Sequence, residues 1–245
     1  NMPGYGREYS RAVGRAALLL LLDEDALIAT QGRNKDELLI RFVQLGIDLY
    51  HVTANGGYWW GKGGLNHGRK WPIIFAGLML DHEHMRTIGS RSKSMPYWGF
   101  AEDAQTNYLD QSDVDRTHSA QWRPDTRAAQ LIPCEVDDIG TPEWCGGGWA
   151  PGLDPYGLNL YYGVPYRVIN GMSYPGPVLA ALIMGRRDAW NHDALFDYTD
   201  RYVAWSLERN TGYSEQDIDV YIYGGAFQRA MWEAYRADYP PVWSE

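Results

Sequence analysis

The chain has 245 residues, 45% of them hydrophobic and 22% charged, which is enough for one large domain whose core needs no cross-links. A formal charge of −9 argues against nonspecific nucleic-acid binding, which needs a basic surface. The longest apolar run, Ala16 to Leu22, is far too short to cross a bilayer.

In chain order, the first third reads as helix, loop, helix, loop, helix. From Arg7 to Leu22 the apolar residues Tyr9, Ala12, Val13, Ala16, Ala17 and Leu20 recur at the spacing of one helix face. Asn34 and Glu37 fit a capping box, and Leu38, Leu39, Phe42, Val43, Leu45 and Leu49 continue a second helical stripe. After a Gly/Trp-rich loop, Pro72 opens a helix through Leu80 with no polar face, which predicts burial between other helices. Periodicity fails from 87 to 173, where Gly, Pro, Asp, Trp and Tyr abound. So long a stretch is expected to hold short helices and turns that line a cleft. Helical patterns return at Val178–Met184, with Gly185 as cap, at Asp193–Leu207, and in a last helix from near Ser214 to Tyr235 whose buried side carries Phe227, Ala230, Met231 and Trp232. No β-alternation or fixed repeat is evident. The expected fold is a single mainly α domain over 1–245. It has about six main helices in successive hairpins around the irregular 87–173 insertion, and forms a complete or partial α/α toroid. A plain helical bundle is the alternative.

The aromatic balance points toward a ligand. There are 11 Trp and 18 Tyr against 5 Phe, and rings with a polar handle suit half-wet clefts that hold sugars, although a core can also be built from them. The densest cluster runs from Trp59 to Pro72. Here Trp59 and Trp60 offer stacking faces and glycines permit close backbone approach. Asn66 can donate to a carboxylate, His67 can accept a proton near neutral pH, and Arg69 and Lys70 can neutralise an anion. The competing reading is a structural loop with His67 bonded to the backbone. Gly56, Gly61 and Lys62 match a phosphate loop only in part. Gly63 replaces the Ser or Thr that would hold magnesium, and no buried strand precedes it, so that reading is rejected.

The second cluster spans Tyr156 to Tyr174, with Tyr161, Tyr162, Tyr166 and Arg167 and then Asn170 to Tyr174. A tyrosine beside an arginine can exchange a proton, because a nearby cation favours the phenolate. Packing with exposed hydroxyls is its competing reading. His82 and His84, two apart, point to different sides of a helix and do not form a zinc pair. Asp110, Asp113 and Asp115 miss the calcium-loop spacing. No metal and no cofactor is expected. Asp137, Asp138, Glu143 and Asp154 could supply a hydrolase acid and base, with Asp138 and Glu143 preferred. Cys134 and Cys145 could form a local disulfide, and two cysteines leave that open.

The Asn66-His67 pair in its Gly/Trp loop, the Tyr-Arg segment and the helical hairpins together resemble the α/α-toroid polysaccharide lyases, the broad group that includes alginate and heparin lyases. The resemblance implies β-elimination on a uronic-acid polymer. Asn66 would then neutralise the substrate carboxylate, His67 would act as base and Tyr166 or Tyr162 as acid. Trp59, Trp60, Arg69, Lys70, Tyr161 and Arg167 would bind substrate. It also implies a polysaccharide or oligosaccharide partner and a secreted or periplasmic location. No signal peptide is visible, and a first residue of Asn1 fits a mature form or a fragment. Three classes stay open: a lyase, a glycoside hydrolase on the same scaffold, and a non-catalytic carbohydrate-binding protein. A homo-oligomer is expected if the toroid is partial, since unfinished helical edges expose apolar stripes.

Overall fold

A computed structural model describes residues 6–23, 35–60, 65–95, 99–118, 134–144, 170–209 and 212–240. Among these, six helices of nine residues or more carry the fold: α1 (Arg7–Leu21), α2 (Lys35–Ala54), α3 (Lys70–Met79), α4 (Pro175–Ile183), α5 (Asp193–Arg209) and α6 (Ala226–Tyr235). The chain is mainly helical, as its periodicity predicts.

Two helices form the centre. Every residue of α3 from Lys70 to Gly77 is buried, and so is every residue of α4 from Pro175 to Leu182. Helices this uniformly apolar can lie only between other elements. α2 covers α3, and α1 covers α4, which also touches α5 and α6. Glycine sets the closeness of both crossings. A Cβ on Gly46 would lie 2.2 Å from the carbonyl oxygen of Pro72, and one on Gly14 would lie 2.6 Å from Pro177 Cδ. The indole of Trp71 on α3 stacks on Trp190, in the short helix Arg187–Trp190, with ring centroids 6.0 Å apart and planes 10° apart. That stack joins the two central layers.

The 87–173 region contains the expected short helices, at Ile88–Ser92, Ala101–Ala104 and Gln111–Thr117. It also holds an element the sequence pattern does not reveal. β1 (Thr106–Tyr108) pairs antiparallel with β2 (Pro142–Trp144), Thr106 opposite Trp144. Three residues per strand are too few to display an alternation. The ribbon is held on α5 by side chains. Tyr108 Oη donates to Asp197 Oδ2 at 2.5 Å, and Arg201 donates to the Pro142 carbonyl at 3.1 Å and to Glu143 at 2.7 Å.

The C-terminal helical pattern is broken. Ser214 caps a single turn at Glu215–Asp217, a π-helical turn follows at Ile218–Ile222, and Gly224 and Gly225 reset the backbone before α6 begins at Ala226. On α6, Met231 and Trp232 are buried as expected, but Ala230 is exposed and Gln228 is buried in its place. α4 begins at Pro175, ahead of the expected start, and Gly185 ends it in the left-handed region. Among the described residues no helix is long and apolar enough to cross a membrane.

Candidate functional site

The turn that leads into α3 sits against α1 and the approach to α4. Gly68 makes this possible: its φ is +84°, and a Cβ there would lie 2.6 Å from Ser10 Cα. Only glycine reaches this geometry without strain. Ser10 Oγ then donates to the Ser173 carbonyl at 2.7 Å, which fixes α1 to the segment ahead of α4.

His67 thereby lands between the two segments that the sequence singles out. It is fully buried. Its Nδ1 lies 2.7 Å from Ser173 Oγ, its Nε2 lies 2.5 Å from Gln105 Oε1, and Tyr174 Oη is 3.4 Å from the same Nε2. A neutral imidazole donates through one nitrogen and accepts through the other. The carboxamide oxygen of Gln105 can only accept, so the proton belongs on Nε2, where Tyr174 Oη also lies, and Ser173 donates to Nδ1. Burial, with further depression by the charges of Arg69 and Arg7, holds His67 down at about 4, so the ring is neutral through the physiological range.

Arg69 and Lys70 are adjacent in sequence and opposite in fate. Lys70 points inward and is fully buried, its ammonium paired with Asp103, which also accepts from Trp190 Nε1 at 3.0 Å. Its charge is therefore committed inside the protein. Arg69 is half buried. It donates to the His67 carbonyl at 2.5 Å and lies over the Tyr9 ring at 4.0 Å from the centroid. Among the described residues no carboxylate comes within ion-pair distance of Arg69.

Glu102 is a second buried acid here, within Coulombic reach of both Arg69 and Lys70. It is 2% exposed; Oε1 accepts a long 3.4 Å bond from the Lys70 backbone N–H, and Oε2 has no hydrogen-bond partner. Burial, then repulsion by Asp103, pushes its carboxyl up to about 7, against the attraction of Lys70. Glu102, Ser10, Gly68, Tyr174 and Trp190 line a cavity of about 10 Å³, room for a single water. Asn170 is also fully buried with neither amide atom hydrogen-bonded, while its backbone carbonyl, 2.5 Å from Ser173 Oγ, competes with His67 Nδ1 for the single hydroxyl proton.

The other expected residues have distinct places. Asn66 is half exposed and donates to the Trp60 carbonyl at 2.8 Å, which ties the rim of the Gly/Trp loop together. Trp59 stacks on Phe100 at 5.7 Å, and Trp60 is 48% exposed. Glu143 is buried in an ion pair with Arg201 at 2.7 Å. Asp138 accepts from the Glu135 backbone N–H at 2.8 Å, as the third-residue partner in a capping box whose cap is Glu135. Both preferred hydrolase carboxylates thus have structural partners and stand apart from His67. Tyr161, Tyr162, Tyr166, Arg167, Asp154 and Cys145 lie outside the described residues. Cys134 is buried with Leu109 and Val114, and burial pushes its thiol up to about 11. His82 accepts from the Met85 N–H as a helix cap, and among the described residues no three metal-ligating side chains gather.

Several residues of the site were not singled out from sequence: Tyr9, Ser10, Glu102, Asp103 and Gln105. Glu102-Asp103 reads as an ordinary acidic pair at a helix start. Nothing local marks it as buried, because its burial comes from α3 and Trp190, which are remote in sequence. No protein family, curated protein or solved structure matches the chain.

Proposed function

We propose that this chain is a carbohydrate-active enzyme, a polysaccharide lyase that cleaves a uronic-acid-containing polysaccharide by β-elimination on helices forming all or part of an α/α toroid. One observation carries the reading. Arg69 is a half-buried guanidinium without a carboxylate partner among the described residues, beside the His67–Tyr174 pair, in a chain of net charge −9. A partly desolvated cation left uncompensated amid so many acids suits a ligand that brings its own negative charge.

The chemistry follows from that placement. Arg69, with Asn66 on the same rim, binds the uronate carboxylate and makes the C5 proton acidic. Tyr174 accepts that proton on its hydroxyl oxygen as its own hydroxyl proton passes to the leaving oxygen. Electrons from the C5–H bond form the C4=C5 double bond and the C4–O bond breaks. No water is consumed. The neutral His67, its Nε2 proton close to the Tyr174 oxygen, supports negative charge there. It acts as a positioning residue, since both of its nitrogens are already engaged. Trp59 and Trp60 supply ring faces for the sugars.

The test is the ultraviolet absorbance of unsaturated uronate while the folded protein is offered alginate, glucuronan, pectate and glycosaminoglycans. A rise that Tyr174→Phe and Arg69→Gln abolish supports the reading, and a flat trace across the panel refutes it. A second reading has its own observation. Glu102, with a carboxyl at about 7 and an unpartnered Oε2 beside the one-water cavity, has the protonation a glycosidic general acid needs once a substrate opens that cavity. Release of reducing ends without new absorbance, lost in Glu102→Gln and kept in Tyr174→Phe, would favour hydrolysis. Binding of the polymers without turnover would leave a recognition protein.

A further inference from the structure

α1 carries a second cationic group, and its start packs against the segment that carries Asn66 and His67, Gly6 against Leu65. Arg7 and Arg11 are four residues apart, which sets their side chains next to each other on one helix face, and both are half buried. Burial first and Arg11's charge second hold Arg7 below its ordinary range, and burial does the same to Arg11, with Glu8 a partial offset for each. Arg7 is within Coulombic reach of His67, so this pair continues the positive field that begins at Arg69.

Arg11 is held in place by an unusual piece of backbone. Its Nε donates to the Gly224 carbonyl at 2.5 Å. Gly224 has φ +79°, and a Cβ there would lie 2.6 Å from the Met172 carbonyl oxygen and 3.1 Å from Arg11 Cγ, so glycine alone allows the approach. The preceding residues form the π-helical turn, a geometry that often occurs at functional sites. On that turn Tyr221 is 38% exposed, its ring 6.3 Å from Tyr213, and it lies within Coulombic reach of Arg7. Among the described residues the Arg11 side chain donates only to Gly224, and no carboxylate comes within ion-pair distance. A fixed guanidinium with its outer nitrogens unused, anchored three residues beyond an exposed aromatic ring, has the composition of an acidic-sugar subsite.

We propose that Arg11, with Arg7 and the Tyr221 ring, forms a second anion subsite that takes an acidic group on another sugar of the chain whose uronate sits at Arg69. The ligand class is therefore an oligosaccharide carrying at least two negative groups, carboxylate or sulfate. The inference rests on the proposed site at Arg69, and its test separates the two.

Calorimetric titration of the whole chain would compare a uronate monosaccharide, a short polyuronate oligomer, and sulfated and unsulfated glycosaminoglycan oligomers. Arg11→Gln is expected to weaken oligomer binding about ten-fold, the scale of one charged hydrogen bond, and leave the monosaccharide unchanged. Arg69→Gln is expected to weaken both. Tyr221→Ala, at an exposed position that leaves the fold intact, should reproduce the oligomer-specific loss. The better of the carboxylated and sulfated oligomers identifies the acidic group. Unchanged oligomer affinity in folded Arg11→Gln and in Tyr221→Ala overturns the subsite even if lyase turnover is found. An oligomer-specific loss without any turnover supports the subsite and refutes the lyase. No binding of any acidic sugar by the unmodified protein overturns the subsite outright.

Discussion

Replacing Glu102 with Gln should change how stability depends on pH. In the folded chain the carboxyl is held up to about 7, against an ordinary 4.5, mainly because burial disfavours its charged form. Between those values the folded state keeps a proton that the unfolded state has lost. Stability therefore falls as pH rises from about 4.5 to about 7, and the loss is complete above that range. The gap corresponds to about 3 kcal/mol at 1.36 kcal/mol per pH unit, a sizeable part of the roughly 5–15 kcal/mol that holds a domain folded. Gln has the same shape and cannot ionise, so the variant should gain about 3 kcal/mol on the wild type between pH 4.5 and pH 8. Urea unfolding followed by the fluorescence of the 11 tryptophans, at several pH values, measures the difference directly. Titrating groups not coupled to Glu102, such as Asp200, act equally on both proteins and cancel. Parallel stability curves would refute the argument and mean that Glu102 is solvated or paired as a carboxylate.

Three further outcomes follow from the same geometry. Lys70→Met leaves Asp103 buried without its ion partner and should cost about 3–5 kcal/mol, whereas Lys70→Met with Asp103→Leu should recover much of that loss; denaturant midpoints decide. Gly46→Ala drives a methyl to 2.2 Å from the Pro72 carbonyl oxygen and should lower stability by about 1–3 kcal/mol, seen as a reduced Tm. The His67 ring should stay neutral until the pH falls to about 4, so its ring-proton resonances should not move between pH 7 and pH 5. Because folding lowers this group's proton affinity, its contribution to stability is present above about pH 6.5 and is lost as the pH falls toward 4. A His67 midpoint near 6.5 would show that the ring is open to water.

Local pattern determined the helices. The stripes of α1 and α5 and the uninterrupted apolar run of α3 follow from a 3.6-residue period and from where glycine and proline interrupt it, and these are properties of neighbours in the chain. The irregular centre was recognisable by its composition, but its ribbon was not, because three-residue strands exist only through their pairing and their anchors on α5. The break before α6 depends on Gly224 meeting Met172 and Arg11, contacts that no window of sequence contains.

The site divides in the same way. Residue type and clustering alone mark His67, Arg69 and the segment ending in Tyr174 as candidates. Tertiary structure decided that His67 meets Ser173 and Tyr174, more than one hundred residues further on, and that Lys70 turns inward to Asp103 while Arg69 keeps an open charge. It also decided that Glu102, one acid among the chain's 31 Asp and Glu, is buried without an ion partner, unlike the buried Asp103, Glu143 and Asp197. Chemical capacity belongs to the side chain and is written in the sequence. Charge state and accessibility depend on what the fold packs around that side chain, so only the assembled structure fixes them.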